Sequence, residues 1–353
     1  MPNADDNARR VPAAAILAYM TDAFRACGLP DADAKTVAGA MLDADLSGSD
    51  AHGIFRLAGY VKQLRSGIFN PRANITVIER SPATALVDGD NGMGHLVMTY
   101  AANLAVEIAR ASGVGWVGIR RSNHSGAGST YATIPVAHGM VGIYTAVSSS
   151  NFMAPWGGAE PLLGTNPIAF AIPAGKDAPV VFDIATSLSS FGNIRLRQVS
   201  GEPLEEGWVV HSKTGEPILD PKKVDEGVLL PIGGHKGSGL ALMIGLLAGV
   251  LNGAAFGRDV RRGAHDARCS RALHVAPVHL LVDPDGEEPI AITPGVEAEP
   301  WEARAWIRGQ RPIGQDARFY FMNIPAAEFE QLRPAARDLI AATEQAATPP
   351  DEG

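Results

Sequence analysis

The sequence predicts an α/β protein with a helical front section and a section of short strands and helices behind it. Three observations predict this class. Apolar residues recur at helical spacing from residue 12 to about residue 66. From residue 76 the texture changes to short β-branched runs separated by glycine and proline. Hydrophobic residues make up 46% and charged residues only 19% of 353 residues, enough to bury a sizeable core in two domains or in one large domain with an insert.

Each element has its own signal. Residues 12–28 carry helical spacing and stop at Gly28-Leu29-Pro30. Asp31 is expected to cap a second helix that runs to Leu46. A third helix is expected over 53–66, with His52 and Arg56 one turn apart on a shared face that Tyr60 continues. Strands are expected over 75–78 and 84–87, then an amphipathic helix over 95–111 ended by Ser112-Gly113. Further strands follow over 116–119, 141–147, 168–172 and 180–182. The apolar run 240–251 is about half of the ~20 residues that span a membrane and reads as a buried helix. A last helix is expected over 326–342, followed by a frayed end.

Composition excludes several function classes. A net charge of −8 without a basic stripe argues against a nucleic-acid partner. The two cysteines, Cys27 and Cys269, belong to no CxxC pair, and the histidines lack paired ligand spacing, so no metal site is expected. The absence of a disulfide framework favours a reducing, cytoplasmic setting. The acidic and basic N-terminus MPNADDNARR does not read as a signal peptide, and no membrane association is expected.

Four segments have the residue types for chemistry. His124 lies in Ser122-Asn123-His124-Ser125-Gly126, after a predicted strand, where an imidazole can serve as general acid or base or simply bond a carbonyl. His52 and Arg56 form a face that can grip a carboxylate or stand in solvent. Residues 233–239 hold glycines and Lys236 ahead of a helix, which makes either a phosphate site or a flexible turn. Asp183 ends a predicted strand, where it can hold a ribose hydroxyl, orient an imidazole or cap the next segment. Gly113-Val114-Gly115-Trp116-Val117-Gly118 matches GxGxxG, but the predicted helix precedes it and the strand follows, the reverse of the order that places a pyrophosphate on a helix N-terminus. A Rossmann site is therefore not expected there.

Several of these segments jointly resemble the malate/L-lactate dehydrogenase family of NAD(P)-dependent oxidoreductases. The matching pieces are Asp45-Leu46-Ser47-Gly48 with His52-Gly53 and Arg56, the His124 segment, and Ala154-Pro155-Trp156-Gly157-Gly158. Gly164-Thr165-Asn166-Pro167, Asp183-Ile184-Ala185-Thr186-Ser187 and Gly234-His235-Lys236-Gly237 complete a co-linear set over about 10–260. The resemblance implies a non-Rossmann fold: a helical domain over 1–75, completed by 300–353, and a mixed-sheet dinucleotide-binding domain over 76–299. It implies a homodimer that transfers hydride between NAD or NADP and a small 2-hydroxy or 2-oxo acid. It also implies His124 as general acid and base, His52 and Arg56 at the substrate, and Ser149, Asp183, Ile184, Ala185 and Lys236 at the cofactor. A reductase of cyclic imino acids and a nucleotide-binding sensor without turnover are the alternatives. Arg120 and Arg121 are candidates to meet a 2′-phosphate. The chain departs from the family pattern at Ala51, where serine usually precedes the His-Gly pair, and at 319–325, which resembles a segment that the family places earlier.

Overall fold

The computed structural model describes residues 11–148, 150–254 and 256–260 and the backbone of 278–279. All lie within the unit Met1–Pro289. The expected helical completion over 300–353, the helix over 326–342 and the displaced segment 319–325 fall outside the described residues.

The helical front forms where the spacing places it. α1 (Ala13–Arg25) turns Met20 and Phe24 inward, and α2 (Asp31–Leu46) turns in Ala34, Val37, Ala38 and Met41. Asp31 is not the cap. It is the first helical residue, and Pro30 holds the cap position. Its carboxylate therefore lies in the first turn, where it meets Lys35 at 2.8 Å and Arg25 at 3.2 Å. α3 (Leu57–Arg65) adds Tyr60 and Leu64, and the three helices close over Phe69 and Met93.

The helix expected from residue 53 is broken at its start. Two short 3-10 turns, Asp50–His52 and Ile54–Arg56, are separated by Gly53, which is near-extended at φ −87° and ψ −142°. His52 and Arg56 do not share a face of one α-helix. The cause is Asp45 at the end of α2, whose carboxylate accepts the Ile54 N–H at 2.9 Å. A Cβ at Gly53 would lie 1.6 Å from that carboxylate, so the turn requires glycine.

Behind the front, β1 (Thr76–Arg80) pairs antiparallel with β2 (Thr84–Gly92). α4 (Gly94–Ser112) crosses over to β3 (Trp116–Ser122), which runs parallel to β2. Gly113 ends α4 in the left-handed region at φ 80°. A Cβ at Gly115 would lie 2.2 Å from the Ala105 carbonyl oxygen of α4. The GxGxxG letters are thus a helix stop and a backbone contact between helix and strand.

Next come α5 (Gly128–Ala132), β4 (Met140–Thr145), β5 (Ile168–Ala174) and β6 (Asp177–Ile184), then α6 (Phe191–Ser200). β7 (Val209–His211), β8 (Gly227–Leu229), α7 (His235–Ala248) and β9 (Val278–His279) follow. The second sheet is antiparallel throughout, in the order β6-β5-β4-β9, and β7 pairs with β8 alone. Among the described strands only β2 and β3 run parallel, so there is no doubly wound crevice. α4 turns Val97, Met98, Ala101, Leu104, Ala105 and Ile108 into a core with Val87, Val117, Ile119, Tyr131 and Tyr144. Each large apolar side chain so buried contributes about 1.5–3 kcal/mol relative to exposure.

The apolar run 240–251 is not a buried helix. α7 ends at Ala248 and turns in Ala241, Ile244 and Ala248, while Leu240, Leu242, Met243 and Leu247 are 38–48% exposed. A run with no polar residues carries no periodic signal of which side faces out. Among the described residues no helix is long and apolar enough to cross a membrane.

The contact at Gly115 gives a test. Gly115→Ala must separate β3 from α4 and should lower stability by about 1–3 kcal/mol, read by urea titration of the full chain. Unchanged stability would contradict the close approach.

Candidate active site

The His124 segment leaves β3 as a short turn clamped on both sides. The Asn123 side-chain amide donates to the Asn91 and Gly92 carbonyl oxygens at 2.8 and 2.9 Å. On the other side, Ser125 Oγ lies 3.0 Å from Tyr144 Oη, and the Tyr131 hydroxyl donates to the Ser125 carbonyl oxygen. Asn123, Ser125, Tyr131 and Tyr144 are all buried. The N-terminus of α4 presses on the same turn, since a Cβ at Gly94 would lie 2.0 Å from the Asn123 carbonyl oxygen. The residues around His124 thus serve to hold its backbone in place.

The His124 imidazole meets the helical front. Its Nδ1 lies 2.5 Å from Tyr60 Oη of α3 and accepts the Gly126 N–H at 3.3 Å. The His52 ring lies parallel to the His124 ring, 5.8 Å between centroids and 2° between planes. His52 and His124 come together although 72 positions separate them in sequence (124 less 52).

Arg56 closes the same corner. Its Nε donates to the Ala51 carbonyl oxygen at 2.8 Å, which fixes the guanidinium against the His52 turn. A Cβ at Gly192, near the start of α6, would lie 2.6 Å from the Ala51 methyl and 3.6 Å from Arg56 Nη2. Ala51 therefore packs against α6, and its lack of a hydroxyl suits that close contact. Beside Gly192, Phe191 lines a cavity of about 360 Å³ together with Phe152, Val209, Leu229 and Asp225, a volume that suits a small molecule.

The electrostatics keep the imidazoles uncharged. Burial, and then the nearby Arg56 charge, lower the His52 pKa to about 4. His95, the second residue of α4, is fully buried with its ring edge-on to Tyr60 at 5.3 Å. Burial, and then His52, push its pKa down to about 3. Both are neutral at pH 7, so neither adds a positive charge beside Arg56.

The cofactor residues named from sequence fall into one neighbourhood, except Ser149, which lies outside the described residues. Asp183 and Ile184 end β6, and Ala185 follows. Thr186 then accepts the Ile232 N–H at 2.9 Å, which ties this segment to the stretch that leads into α7. Gly234 caps α7 at φ 61°, beside the Trp156 ring, and Lys236 is the exposed second residue of the helix. Gly237 has no room for a side chain, since a Cβ would lie 1.9 Å from the Ile232 carbonyl oxygen. One Asp183 oxygen accepts the Ser129 N–H at 2.8 Å at the start of α5. Desolvation raises the Asp183 pKa, and hydrogen bonds from Ser129 and the Gly128 N–H oppose it. Arg120 and Arg121 are engaged elsewhere: both reach Asp88, at 3.3 and 3.1 Å, and Arg121 also reaches Asp90.

The family model for malate/L-lactate dehydrogenase matches residues 11–316. This chain belongs to the malate/L-lactate dehydrogenase family. Among its relatives, the malate dehydrogenase of Pyrococcus abyssi is 40% identical over 73% of this chain and 72% of that one. The L-sulfolactate dehydrogenase of Methanothermobacter thermautotrophicus is 39% identical over 74% of this chain and 76% of that one. The solved malate dehydrogenase of Pyrococcus horikoshii superposes with a TM-score of 0.70 at 34% identity, over 79% of this chain and 78% of that one. The dehydrogenase is thus an oxidoreductase of small hydroxy acids that uses a nicotinamide cofactor, on a fold without a doubly wound sheet.

Sequence reasoning missed His95 and the clamp residues Asn91, Tyr131 and Tyr144 of the dehydrogenase. The one available signal for His95 was a histidine amid the buried apolar positions of α4. The buried imidazoles give a pH prediction. The unfolded chain binds protons near pH 6.5, whereas folded His52 and His95 do so only near pH 4 and 3. Between those limits the unfolded state holds more protons, so stability falls as pH drops through that window. At about 1.4 kcal/mol per pKa unit the loss amounts to several kcal/mol. Denaturant titrations from pH 7 to 3.5 should show it, and His95→Phe should shrink the slope; an unaltered slope would contradict the neutral buried ring.

Proposed function

We propose that His124 is the general acid and base of hydride transfer between a nicotinamide and a 2-hydroxy or 2-oxo acid, with Arg56 gripping the carboxylate. The observation that carries this reading is the His124 imidazole itself: Tyr60 Oη and the Gly126 N–H orient the ring through Nδ1, with the His52 ring stacked parallel to it and Arg56 on the next short turn, and proton exchange with the reacting oxygen is assigned to Nε2. When bound, the nicotinamide supplies the hydride acceptor or donor. In oxidation His124 takes the hydroxyl proton at Nε2, and in reduction it returns a proton to the oxo oxygen. Such acid–base help is typically worth ~10²–10⁴-fold. Arg56, held by the Ala51 carbonyl, presents a fixed fork to the carboxylate and so selects the face of the acid that reacts. The parallel His52 ring shapes the site without adding charge.

The residues present fit a dinucleotide. The first-turn N–H groups of α7 and Lys236 favour phosphate, while Gly234 and Gly237 let the helix start pack against the Trp156 ring and the Ile232 carbonyl. The accessible carboxylate of Asp183, with Ile184 and Ala185 beside it, suits a ribose hydroxyl. Ser149 is assigned to the cofactor by family resemblance alone. With Arg120 and Arg121 paired to aspartates, NAD rather than NADP is the reading favoured here. The division at residue 75 and a homodimeric assembly complete the proposal on the same resemblance, and the cysteine usage supports a cytoplasmic setting.

His124→Ala should abolish reduction of oxaloacetate or pyruvate by NADH while changing the NADH dissociation constant by less than about threefold, read by stopped-flow absorbance and fluorescence titration. Turnover at the wild-type rate would remove the role.

A further inference from the structure

The ring nitrogen of His124 that faces away from the reactant is as constrained as the one that faces it. A hydrogen on Nδ1 and a hydrogen on Nε2 are distinct neutral forms, set by what each nitrogen touches. Nδ1 meets the Gly126 N–H and the Tyr60 hydroxyl. The Gly126 N–H, at 3.3 Å, can only donate, so it favours the form whose proton is on Nε2. That form cannot take a proton from a hydroxyl at Nε2. The Tyr60 hydroxyl, at 2.5 Å, can either donate or accept. The two forms that His124 uses in proton exchange, the imidazolium and the neutral ring with Nε2 free, both carry a proton on Nδ1. Of the two contacts, only Tyr60 Oη can accept it.

Tyr60 is itself held by a costly neighbour. His95 is 1% exposed, and neither ring nitrogen has a hydrogen-bond partner among the described residues. Leaving a buried polar group unpaired costs about 1–3 kcal/mol. Its ring stands edge-on to Tyr60 at 84° and 5.3 Å, and a Cβ at Gly126 would lie 3.1 Å from its Nε2. His95 therefore fills the space between the Tyr60 ring and the turn that bears His124.

We propose that Tyr60, wedged in place by His95, is a positioning residue that holds His124 in the Nδ1–H forms needed for proton exchange. The proposal rests on the reading of His124 as acid and base. The groups that face this corner are Tyr60 of α3, His52 and Arg56 of the preceding turns, His95 of α4, and Tyr131 and Tyr144 behind the clamp. In the transfer the Nε2–H bond breaks as the substrate O–H bond forms, or the reverse. The proton on Nδ1 stays in its bond to Tyr60 Oη, and no electrons move through the tyrosine.

The test uses the full chain with ¹⁵N-labelled histidine, with His124 assigned by its loss in His124→Gln. Long-range ¹H–¹⁵N spectra of the wild type should show an Nδ1–H population for His124, and Tyr60→Phe should leave only the Nε2–H form. With NADH and oxaloacetate, Tyr60→Phe should lower kcat by about 10- to 100-fold, the usual effect of losing an orienting partner, with KM within twofold. His95→Ala should share the kcat loss, and adding it to Tyr60→Phe should cost little more. His95→Phe keeps the wedge and removes the unpaired nitrogens, so it should restore kcat and raise the melting temperature. An unchanged His124 tautomer and unchanged kcat in Tyr60→Phe would overturn the proposal, even where His124→Ala is inactive. A normal kcat in His95→Ala would remove the wedge. Turnover surviving in His124→Ala would instead sink the underlying reading of the site.

Discussion

The architecture turns on one contact, the bond between a phenol from the helical front and an imidazole at the end of β3. Tyr60 stands on α3, within the core that α1 and α2 also share. His124 stands at the end of the strand that α4 feeds. Their hydrogen bond pins these two regions together, and the residues around it guard its geometry. Asn123 and Ser125 hold the turn from one side. Asp45 and Gly53 bend the His52–Arg56 stretch toward it from the other. In the function proposed above neither region carries the chemistry alone, because the front is assigned the anion grip and the end of β3 the proton carrier.

Charge is rationed at this corner. Two of its imidazoles, His52 and His95, are buried deeply enough to be neutral at pH 7 and add no charge beside Arg56, the group proposed to meet an acid substrate. A second positive charge beside Arg56 would repel it and would be costly to desolvate. The same logic separates substrate from cofactor. The cation proposed for phosphate is Lys236, on a different helix, while Arg120 and Arg121 are paired with Asp88 and Asp90.

Much of this was legible in the sequence, and the gaps have physical causes. Helical spacing located α1, α2 and α4 to within a few residues, because each has one buried face. The order of helix and strand around the glycines at 113, 115 and 118 was enough to dismiss a dinucleotide fingerprint, and the structure shows Gly113 ending α4, Gly115 packed on the Ala105 carbonyl of α4 and Gly118 facing Asn252. Local spacing failed at His52 and Arg56. A carboxylate eight positions before Gly53 breaks that helix, and no window of one helical turn contains it. It failed again for α7, where a uniformly apolar run hides which side faces out. His95 and the tyrosine clamp were invisible because their roles come from contacts across the fold. The catalytic assignment of His124 came from a motif and from family resemblance, and the reason for that motif, a turn clamped at both neighbours, is readable only in three dimensions.

The central claim is that Nε2 of His124 exchanges a proton with the reacting oxygen while Arg56 holds the carboxylate. A crystal structure of the full chain with NADH and oxamate, an unreactive 2-oxo acid mimic, tests it most directly. The account predicts the oxamate oxo oxygen at about 2.6–3.2 Å from Nε2, the carboxylate forked on Arg56, and Tyr60 Oη still on Nδ1. An oxamate bound away from His124, or a His124 ring walled off from the nicotinamide, would contradict it.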